Sequence, residues 1–573
     1  MRVRCVRRVV LGGRLAVVAW AAMGPAACAS ADSATAGDMR GVPGVGDTES
    51  APPNVGSGAT GAYDSADGAV QGTGGTAIVA EQEQVPEFEL PHAGQRYVYA
   101  VNPERDSVAV IDATTLEIHS VDAGDEPKFL QTLAGQDQAI VLNVKSEDAT
   151  VIRTSAGSST TSFVDVAPGS NAIAVAPDGK HAVVYLNSEY ATGYQLDSQS
   201  VSVLTLEEGQ DRSTNMSVGY RPSAVHFSDK GDRAFVVTED GVSVLDFEAI
   251  DESGPDAAPT VSVGQSVTSR TRDVSITHDG KYALAREEGQ SVLRLVDLDT
   301  GEAEELDAAS WVTEPEPTGS AGASQTPAPN PASQVTDVDL SPDNTFALAV
   351  VRPDNAVLKI AIPDGFTDSE GVEVVRVSSG TVGSATLAPD GSLAVLYTTA
   401  VDTEETVSLL DLGTLELRPV ALKKAVRAVA IAEDNRTALV VHQKLAGDPS
   451  VQSDPDLRTD MSYGYSVIEL GTTFSRLQLT PSDIQAFTIL PEAQWLFVLF
   501  EQDWQVECMP LKSFVPEQVT LASRPVAMGV VPDSRRLFVG QEHPDGRITF
   551  IDWETLETTS VTGFELNSKI QEQ

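Results

Sequence analysis

The stretch formed by residues 221–250 reads RPSAVHFSDKGDRAFVVTEDGVSVLDFEAI. Val225 and Phe227 alternate with polar residues, and two further apolar runs follow at 234–237 and 242–245. Ser-Asp and Asp-Gly turn residues separate the three runs. Apolar residues that alternate with polar ones between such turns are typical of β-hairpins and not of helices. The stretch therefore predicts a three-stranded antiparallel meander.

A meander of this size cannot bury both of its faces, so copies of it must pack on one another. The turn after its first strand recurs along the chain in steps of 41 to 64 residues, counted from His92. The recurring turns are Ala134-Gly135, Asp178-Gly179, Asp229 to Gly231, Asp279-Gly280, Asp343-Asn344, Asp390-Gly391, Asp434-Asn435, Glu492-Ala493 and Asp533-Ser534. One four-stranded propeller blade takes about 40 to 45 residues. We therefore predict an all-β fold, a β-propeller built from about ten four-stranded repeat units over residues 85–566.

Ten units exceed the roughly four to eight blades that propellers usually have. One solution is a single large ring. Another is a pair of smaller rings divided at residues 311–334, a Pro-, Ala-, Thr- and Ser-rich stretch that is either a linker or a long loop between neighbouring blades. A third is that weak units, such as those around Ala134 and Glu492, do not form complete blades. The sequence leaves these arrangements open.

Acidic residues end the third strand of several units, and a threonine follows each of them three positions later. They are Asp112, Asp297, Asp411, Glu469 and Asp552. A carboxylate in this place accepts hydrogen bonds from the backbone amides of the next turn. We therefore interpret these acids as structural and not catalytic.

Two sequence patterns carry a resemblance to known families. The segments YVYAVN at 97–102 and SVAVID at 107–112 resemble the YVTN-type repeat of β-propeller proteins. The turns Ser341-Pro342-Asp343 and Ala388-Pro389-Asp390-Gly391 resemble those of WD-repeat and TolB-like propellers. The resemblance covers residues 85–566 and implies the fold, whereas these families include lactone hydrolases, assembly factors and binding scaffolds.

The first 27 residues combine a basic start with an apolar run and are predicted to be a signal peptide, too short to span a membrane. The residues before Cys28 resemble the lipobox of bacterial lipoproteins, in which the cysteine thiol receives diacylglycerol. Ala26 and Ala27 match that pattern, and Pro25 departs from it because an aliphatic residue is usual there. We predict lipid attachment at Cys28, with ordinary signal-peptidase cleavage nearby as the alternative.

Small and polar residues dominate residues 28–84, so this part of the chain cannot bury enough apolar surface to fold. We predict that it is a disordered tether, which would let a folded head stand clear of the bilayer. Residues 567–573 are predicted to be a C-terminal tail. The predicted location is the bacterial outer membrane or cell surface, with a periplasmic or secreted protein as the alternative.

The composition is strongly acidic, with 83 acidic against 38 basic residues. Five of the arginines lie in the predicted signal peptide, so the mature chain has a net charge of 33 − 83 = −50. Such a surface repels nucleic acid and anionic head groups, and it favours partners that are cationic, neutral or locally basic. A salty habitat, in which charge repulsion is screened, is an alternative reason for the acidity.

The sequence contains no haem, zinc-helix, nucleophile-elbow or Walker motif, and its seven histidines are spread over different units. Three carboxylates gather in residues 453–460, but the spacing is not that of an EF-hand and Arg458 opposes a cation, so we interpret this segment as a solvated loop. Asp337 and Asp339 lie two apart on a predicted inner strand and are a weak indication of a polar or ionic site in the channel. Cys508 is interpreted as a buried core residue.

Three tryptophans, Trp495, Trp504 and Trp553, occur in the last units, where they pack between blades or form a stacking surface for a glycan or a protein. The function predicted from the sequence is that of a non-catalytic, cell-envelope lipoprotein, a monomer that uses its propeller as a binding or scaffolding module without metal or cofactor. Its ligand would be a protein or a glycan. The alternatives are a lactonase-like hydrolase, which needs acids and a His or Arg at one mouth of the channel, and an outer-membrane assembly factor.

Overall fold

The computed structural model describes residues 93–564 except for 134, 188–197, 265–271, 313–331 and 544. These residues form ten antiparallel sheets, in each of which neighbouring strands follow the order of the chain. Nine sheets have four strands, and the first has three. The fold is therefore an all-β propeller of ten blades, as the repeats predict. The predicted signal peptide, Cys28, tether and C-terminal tail lie outside the described residues.

The strands of blades 1 to 5 have the following bounds. They are β1 Tyr97–Asn102, β2 Ser107–Asp112 and β3 Ile118–Asp122; β4 Pro127–Thr132, β5 Gln138–Asn143, β6 Asp148–Ser155 and β7 Ser158–Asp165; β8 Ala172–Val175, β9 His181–Tyr185, β10 Ser200–Thr205 and β11 Arg212–Ser217; β12 Ala224–Phe227, β13 Arg233–Val237, β14 Val242–Asp246 and β15 Thr260–Val261; β16 Arg272–Ile276, β17 Tyr282–Glu287, β18 Val292–Asp297 and β19 Ala303–Asp307. Helix α1, Phe247–Ser253, follows β14, and helix α2, Ala309–Val312, follows β19.

The strands of blades 6 to 10 complete the fold. They are β20 Gln334–Leu340, β21 Phe346–Arg352, β22 Ala356–Ala361 and β23 Val372–Arg376; β24 Ser384–Leu387, β25 Leu393–Tyr397, β26 Thr406–Asp411 and β27 Leu417–Ala421; β28 Val426–Ile431, β29 Thr437–His442, β30 Tyr463–Glu469 and β31 Phe474–Thr480; β32 Ala486–Leu490, β33 Trp495–Phe500, β34 Gln505–Pro510 and β35 Glu517–Thr520; β36 Pro525–Val531, β37 Arg536–Gln541, β38 Arg547–Asp552 and β39 Thr558–Thr562. Helix α3 is Pro455–Asp460, and 3₁₀ turns occupy Asp364–Phe366, Ser369–Gly371, Pro449–Val451 and Pro532–Ser534.

The four strands of a blade are called A to D in chain order. A strands lie inside the ring and D strands outside, as burial shows: every residue of β32 is buried, whereas most of β39 is exposed. The blade-1 strands correspond to B, C and D, because β2 ends in Asp112 as other C strands end in an acid. An antiparallel bridge joins Ala93 to Val98 at the start of β1. Residues 85–92, where the predicted repeat region begins, lie outside the described residues.

The middle strands are apolar on both faces because each blade is covered by two neighbours. In β13, Ala234 and Val236 pack into the cluster shared with blade 3, while Phe235 and Val237 pack into the cluster shared with blade 5. All four are completely buried. This explains why residues 234–237 form a continuous apolar run instead of alternating with polar residues.

The ring closes between blade 10 and blade 1. Val98 and Ile111 of blade 1 share one apolar cluster with Phe538 and Phe550 of blade 10. The main-chain N–H of Asp533 in blade 10 donates to the carbonyl oxygen of Gln95 at 3.0 Å. Across the proposed division, blade 5 and blade 6 also share a cluster, which includes Val312 of α2. The alternative of two rings is therefore wrong, and residues 311–334 connect neighbouring blades.

The units around Ala134 and Glu492 both form complete blades, namely β4–β7 and β32–β35, so the expectation that weak units are incomplete is also wrong. The acids at the ends of the C strands have the predicted capping role. Asp552 Oδ1, for example, accepts the N–H groups of Glu554 and Thr555, both at 2.9 Å. In Asp411 the amide of Thr414 is the first cause of a lowered carboxyl pKa. Glu469 differs, because its carboxylate accepts the hydroxyl of Thr472 at 2.6 Å.

The A–B turns also join consecutive blades. Asp229 donates its N–H to the carbonyl of His278 at 2.7 Å, and His278 donates its own N–H to Asn344 Oδ1 at 2.5 Å. Between blades 7 and 8, the N–H of Asp390 donates to Asn435 Oδ1 at 3.0 Å. The turn residues recognised as hairpin signals therefore also hold neighbouring blades together at one end of the ring.

Candidate functional site

The two ends of the ring carry different connections, because consecutive strands are antiparallel. The A–B and C–D turns lie at one end, and the B–C turns and the links between blades lie at the other, which we call the B–C end. The longest fully described B–C connection is that of blade 8, residues 443–462. The corresponding turn of blade 9 is only residues 501–504. Blade 8 therefore presents an extra segment at the B–C end.

Large exposed apolar side chains concentrate in blades 8 and 9. Among the described residues eight such side chains are exposed by 37% or more, and six of them belong to these two blades. The six are Val451, Leu457, Phe474, Leu479, Trp504 and Val515; the other two are Phe163 in blade 2 and Val374 in blade 6. Scattered single apolar residues are ordinary on a protein surface, but a concentration of them marks interaction sites.

Four of these six residues lie at the B–C end, and we call them the apolar patch. Val451 and Leu457 belong to the 443–462 segment and are 81% and 41% exposed. Leu479 is near the end of β31, opposite Gly464 where the chain leaves that segment. Trp504 lies in the B–C turn of blade 9. The apolar patch is therefore shared by two neighbouring blades.

Local capping holds the 443–462 segment in shape. Asp448 accepts the N–H of Ser450 at 2.8 Å and starts the 3₁₀ turn that carries Val451. Asp454 accepts the N–H of Asp456 at 3.0 Å and starts α3, with Pro455 in the first helical position. Asp and Pro are the residues that favour these two positions. The carboxylates considered for a metal site are thus partly used as caps.

Arg458 also stabilises this segment, since its guanidinium donates twice to the carbonyl of Gln452, at 2.8 and 3.1 Å. Within the part of the chain that the structure describes, no group of three His, Cys, Asp or Glu side chains is arranged to hold a metal ion. Residues 453–460 form a short capped helix in place of the solvated loop that we predicted.

Lys424 anchors the segment from below. Its ammonium group donates to the carbonyls of Thr459 and Asp460, at 2.6 and 2.9 Å, at the last turn of α3. A cation is favourable at a helix C-terminus, where the carbonyl groups have no helical partners. Only 1% of Lys424 is exposed, and this burial lowers the pKa of the amine to about 8. Sequence patterns gave no sign of this contact, because it joins a link between blades to a distant helix.

Two further buried polar groups lie within blades 8 and 9. His442 contacts the carbonyl of Ala425 through Nδ1 at 3.2 Å and the hydroxyl of Ser466 through Nε2 at 2.7 Å. A carbonyl only accepts, so Nδ1 carries the proton and Nε2 accepts from Ser466. Burial lowers the pKa of His442 to about 4, so the ring is neutral at pH 7. The histidine therefore has a structural role between strands.

Glu507 is almost completely buried between blades 8 and 9. One carboxylate oxygen accepts the hydroxyl of Tyr465 and the other accepts the side-chain amide of Gln518 at 2.6 Å. Burial is the main cause of a raised pKa of Glu507, against the two hydrogen bonds, which lower it. Cys508 beside it is free and buried, as predicted, and burial raises the pKa of its thiol to about 12.

The other residues singled out in the sequence do not come together. Trp495 and Trp553 pack in the apolar cluster between blades 9 and 10, away from Trp504 at the B–C end, so a common stacking surface is not formed. Asp337 is buried, and its Oδ2 accepts the N–H of Ala385 at 2.6 Å, which links blades 6 and 7. Asp339 follows on the same face of β20, opposite Leu348.

The six described histidines lie in six different blades, at positions 119, 181, 226, 278, 442 and 543. His92 lies outside the described residues. Arg427 of β28 forms a bidentate pair with Asp483, at 2.9 and 2.6 Å, in the link to blade 9. The charged residues of the inner region thus join blades.

A second depression lies between blades 4 and 5 and has a volume of about 760 Å³. Its walls include Ile250 of α1, Thr260 of β15 and the C–D turn of blade 5. Arg233 in this cleft pairs with Asp299 at 2.9 Å, and Arg294 pairs with Glu305 at the same distance. Since both guanidinium groups already pair with acids of this chain, the cleft is a weaker candidate than the apolar patch.

Comparisons with known proteins were made at the levels of sequence and structure. No family model matches the chain. No curated protein matches it either. Among the described residues, the helices are all too short or too polar to cross a membrane.

Three solved structures are similar to parts of this chain. Kuenenia stuttgartiensis hydrazine synthase has 14% sequence identity and a TM-score of 0.29, over 49% of this chain and 76% of that one. The dihydro-heme d1 dehydrogenase NirN has 13% identity and a TM-score of 0.39, over 65% of this chain and 74% of that one. A eukaryotic initiation factor has 9% identity and a TM-score of 0.42, over 82% of this chain and 96% of that one. Similarities this low do not assign a function.

Proposed function

We propose that this chain is an exported, lipid-anchored β-propeller of the bacterial cell envelope that binds a protein partner without catalysing a reaction. The observation that carries the proposal is the concentration of exposed apolar side chains in blades 8 and 9. Exposed apolar side chains lower solubility. Six of the eight large exposed apolar side chains among the described residues lie in blades 8 and 9, and the similarity of the ten blades does not explain that concentration. A binding surface explains it.

The composition of the apolar patch favours a protein over a glycan. Glycan sites use aromatic rings that stack on the sugar, and Trp504 is the one aromatic residue among the four that form the apolar patch. Trp495 and Trp553 pack between blades. The other three members of the patch are aliphatic. An exposed tryptophan at the same end of the ring as exposed Leu and Val side chains is the kind of anchor that dominates protein interfaces.

The 443–462 segment is preorganised for binding. Its two short helices are capped by their own aspartates, and Lys424 fixes the end of α3 to the body of the ring. A loop that is already ordered loses less conformational entropy when a partner binds. Loops held on a rigid scaffold are also where binding residues most often lie.

The proposal is tested by capturing partners from the native envelope with the full-length chain, tagged at its C-terminus. We expect Trp504→Ala and Leu457→Asp each to lose the partner that the unaltered chain retains. Phe163→Ala is the matched control, because Phe163 is 51% exposed but lies in blade 2. A captured partner that is lost with Phe163→Ala, or kept with both patch variants, would refute a role for the patch.

Two further measurements test the remaining parts of the proposal. Cys28→Ser should move the protein from the membrane fraction to the soluble fraction, and unchanged partitioning would contradict the lipid anchor. Hydrolysis of a panel of lactones by the purified protein would contradict the non-catalytic role and support the lactonase-like alternative.

A further inference from the structure

We propose that the apolar patch recognises a cationic, amphipathic segment of its protein partner, an inference that rests on the function proposed above. The patch lies in an acidic rim. Residues 443–462 and 501–504 together contain six carboxylates against two cations, a net charge of −4. Apolar anchors surrounded by carboxylates fit a ligand with apolar side chains on one face and Lys or Arg beside them.

The two cations within these residues are already included in the net charge of −4, and both are held by neutral groups of the chain. Arg458 donates both of its described hydrogen bonds to the carbonyl of Gln452. Lys444 lies over the ring of Tyr463, with 5.0 Å between the ammonium and the ring centre. Lys424 is buried beneath α3. The carboxylates of Asp448, Asp454 and Asp456, in contrast, belong to exposed residues.

The acidic residues beside Trp504 add to the same potential. Arg524 bridges Glu501 and Glu542, so it binds two acids and leaves a net negative charge. Asp503 Oδ2 is buried and has no hydrogen-bond partner among the described residues. The carboxylate of Asp503 therefore adds to the negative charge beside Trp504 without a cation of the described residues bonded to this oxygen.

The direction of the pKa shift of Glu405 agrees with the acidic character of this end of the ring, although Lys424 acts against it. Burial is the first cause of the raised pKa of Glu405, and the nearby negative charges of Asp460 and Asp456 raise it further. The same carboxylates that disfavour another negative charge favour a positive one. An anionic membrane surface would be repelled here for the same reason, which is why we choose a protein segment over a bilayer.

The experiment uses two synthetic helical peptides of equal length, one with Leu and Lys faces and the other with Leu and Glu faces. Binding to the full-length protein in detergent is followed by fluorescence anisotropy at two salt concentrations. We expect the Leu/Lys peptide to bind at least tenfold more tightly than the Leu/Glu peptide, with the difference shrinking at high salt.

Variants separate the apolar from the electrostatic contribution. Trp504→Ala should weaken binding of the Leu/Lys peptide by about tenfold or more, as for a central interface anchor. The double variant Asp454→Asn with Asp456→Asn should weaken it and reduce its salt dependence; Asn is as good an N-cap as Asp, so α3 should stay folded. Phe163→Ala is again the control and should leave binding unchanged.

Other binding results would contradict the inference or change the ligand that it names. Equal binding of the two peptides, or binding that Trp504→Ala does not alter, would overturn the inference. Binding to anionic vesicles that Trp504→Ala abolishes would replace the protein segment by a membrane. If native partners still require Trp504 while the Leu/Lys peptide does not bind, the inference fails and the proposed function stands; if native capture is also independent of Trp504, both fail.

Discussion

Replacing Glu507 with Gln and with Leu separates the two roles that a buried carboxylate has between blades 8 and 9. Gln keeps the shape and retains both hydrogen bonds, because the exposed side-chain amide of Gln518 can turn over to accept one. Leu leaves the hydroxyl of Tyr465 without an oxygen acceptor. Met509 Sδ, 3.9 Å from that hydroxyl, is only a weak acceptor. We therefore expect Glu507→Leu to be less stable than Glu507→Gln.

The size of this difference follows from the burial of Tyr465, whose exposure is 0%. An unpaired buried hydroxyl costs about 1–3 kcal/mol. Unfolding of the roughly 430 residues that the structure describes has an entropy of about 0.9 kcal/mol/K, so the melting temperatures of the two variants should differ by only about 1–3 °C. Local hydrogen exchange in β30 and β34 is more sensitive, because the same energy raises opening there by about tenfold.

The stability of the protein should depend on pH because the carboxyl group of Glu507 titrates inside the fold. Burial holds the pKa of Glu507 above its ordinary value of 4.5. The stability that this group contributes is complete below pH 4.5 and is lost as the pH rises through the folded pKa, because the folded state then holds a buried charge. Glu507→Gln lacks this loss. It should therefore gain stability relative to the unaltered protein as the pH increases from about 4 towards neutrality.

Urea unfolding and hydrogen exchange over this pH range are the assays. If the unaltered protein and Glu507→Gln have the same pH profile, the carboxyl group is not desolvated as the structure indicates. If Glu507→Leu is as stable as Glu507→Gln, the hydrogen bond from Tyr465 does not matter.

Two further predictions test the closure of the ring and the ion pairs of His181, of which that with Asp251 joins blades 3 and 4. Phe538→Ala, at the junction of blades 10 and 1, should lower the free energy of unfolding measured in urea by about 3–5 kcal/mol. Phe497→Ala, between blades 9 and 10, is the control and should lower it by the same amount. A much smaller loss for Phe538→Ala would mean that the ring is open. His181 contacts Asp178 at 2.8 Å and Asp251 at 3.5 Å, and these contacts raise its pKa above 6.5 although burial alone would lower it. The stability that His181 contributes is therefore complete below pH 6.5 and is lost as the pH rises through its folded pKa. His181→Gln should remove this pH dependence of the urea midpoint. An unchanged profile of urea midpoint against pH would contradict the role of the two aspartates in raising the pKa of His181.

Much of the fold was predictable because each repeat carries its own local signals. The Asp-Gly and Asp-Asn turns, the apolar B strands and the acids that end several of the C strands are all short-range patterns, and they lie where they were expected. The number of rings was not predictable from such patterns. It depends on the contact between Val98 and Phe538, which are far apart in sequence and meet only when the circle closes.

The candidate site was harder to predict from the sequence, because it also depends on residues that are far apart in the chain. Trp504 was recognised as a possible surface residue, but its separation from Trp495 and Trp553 depends on which end of a strand each occupies. Residues 453–460 were recognised as unusual for their carboxylates, whereas their importance here comes from Val451 and Leu457 and from the buried ammonium of Lys424 below them.

Some blades differ from the others in which of their side chains are buried or exposed, and the propeller fold alone does not explain these differences. A buried ionisable group costs stability, whether it keeps its charge or loses it as His442 does, and an exposed large apolar group costs solubility. Five Asp, Glu, Lys, Arg or His residues are buried among those described; Lys424, His442 and Glu507 lie in blades 8 and 9 or in the link that enters them. The same two blades hold six of the eight exposed apolar side chains. Because sites of function are often where sequences depart from the rules of stable folding, the coincidence of both costs in one sector is the reason that we propose a binding surface there.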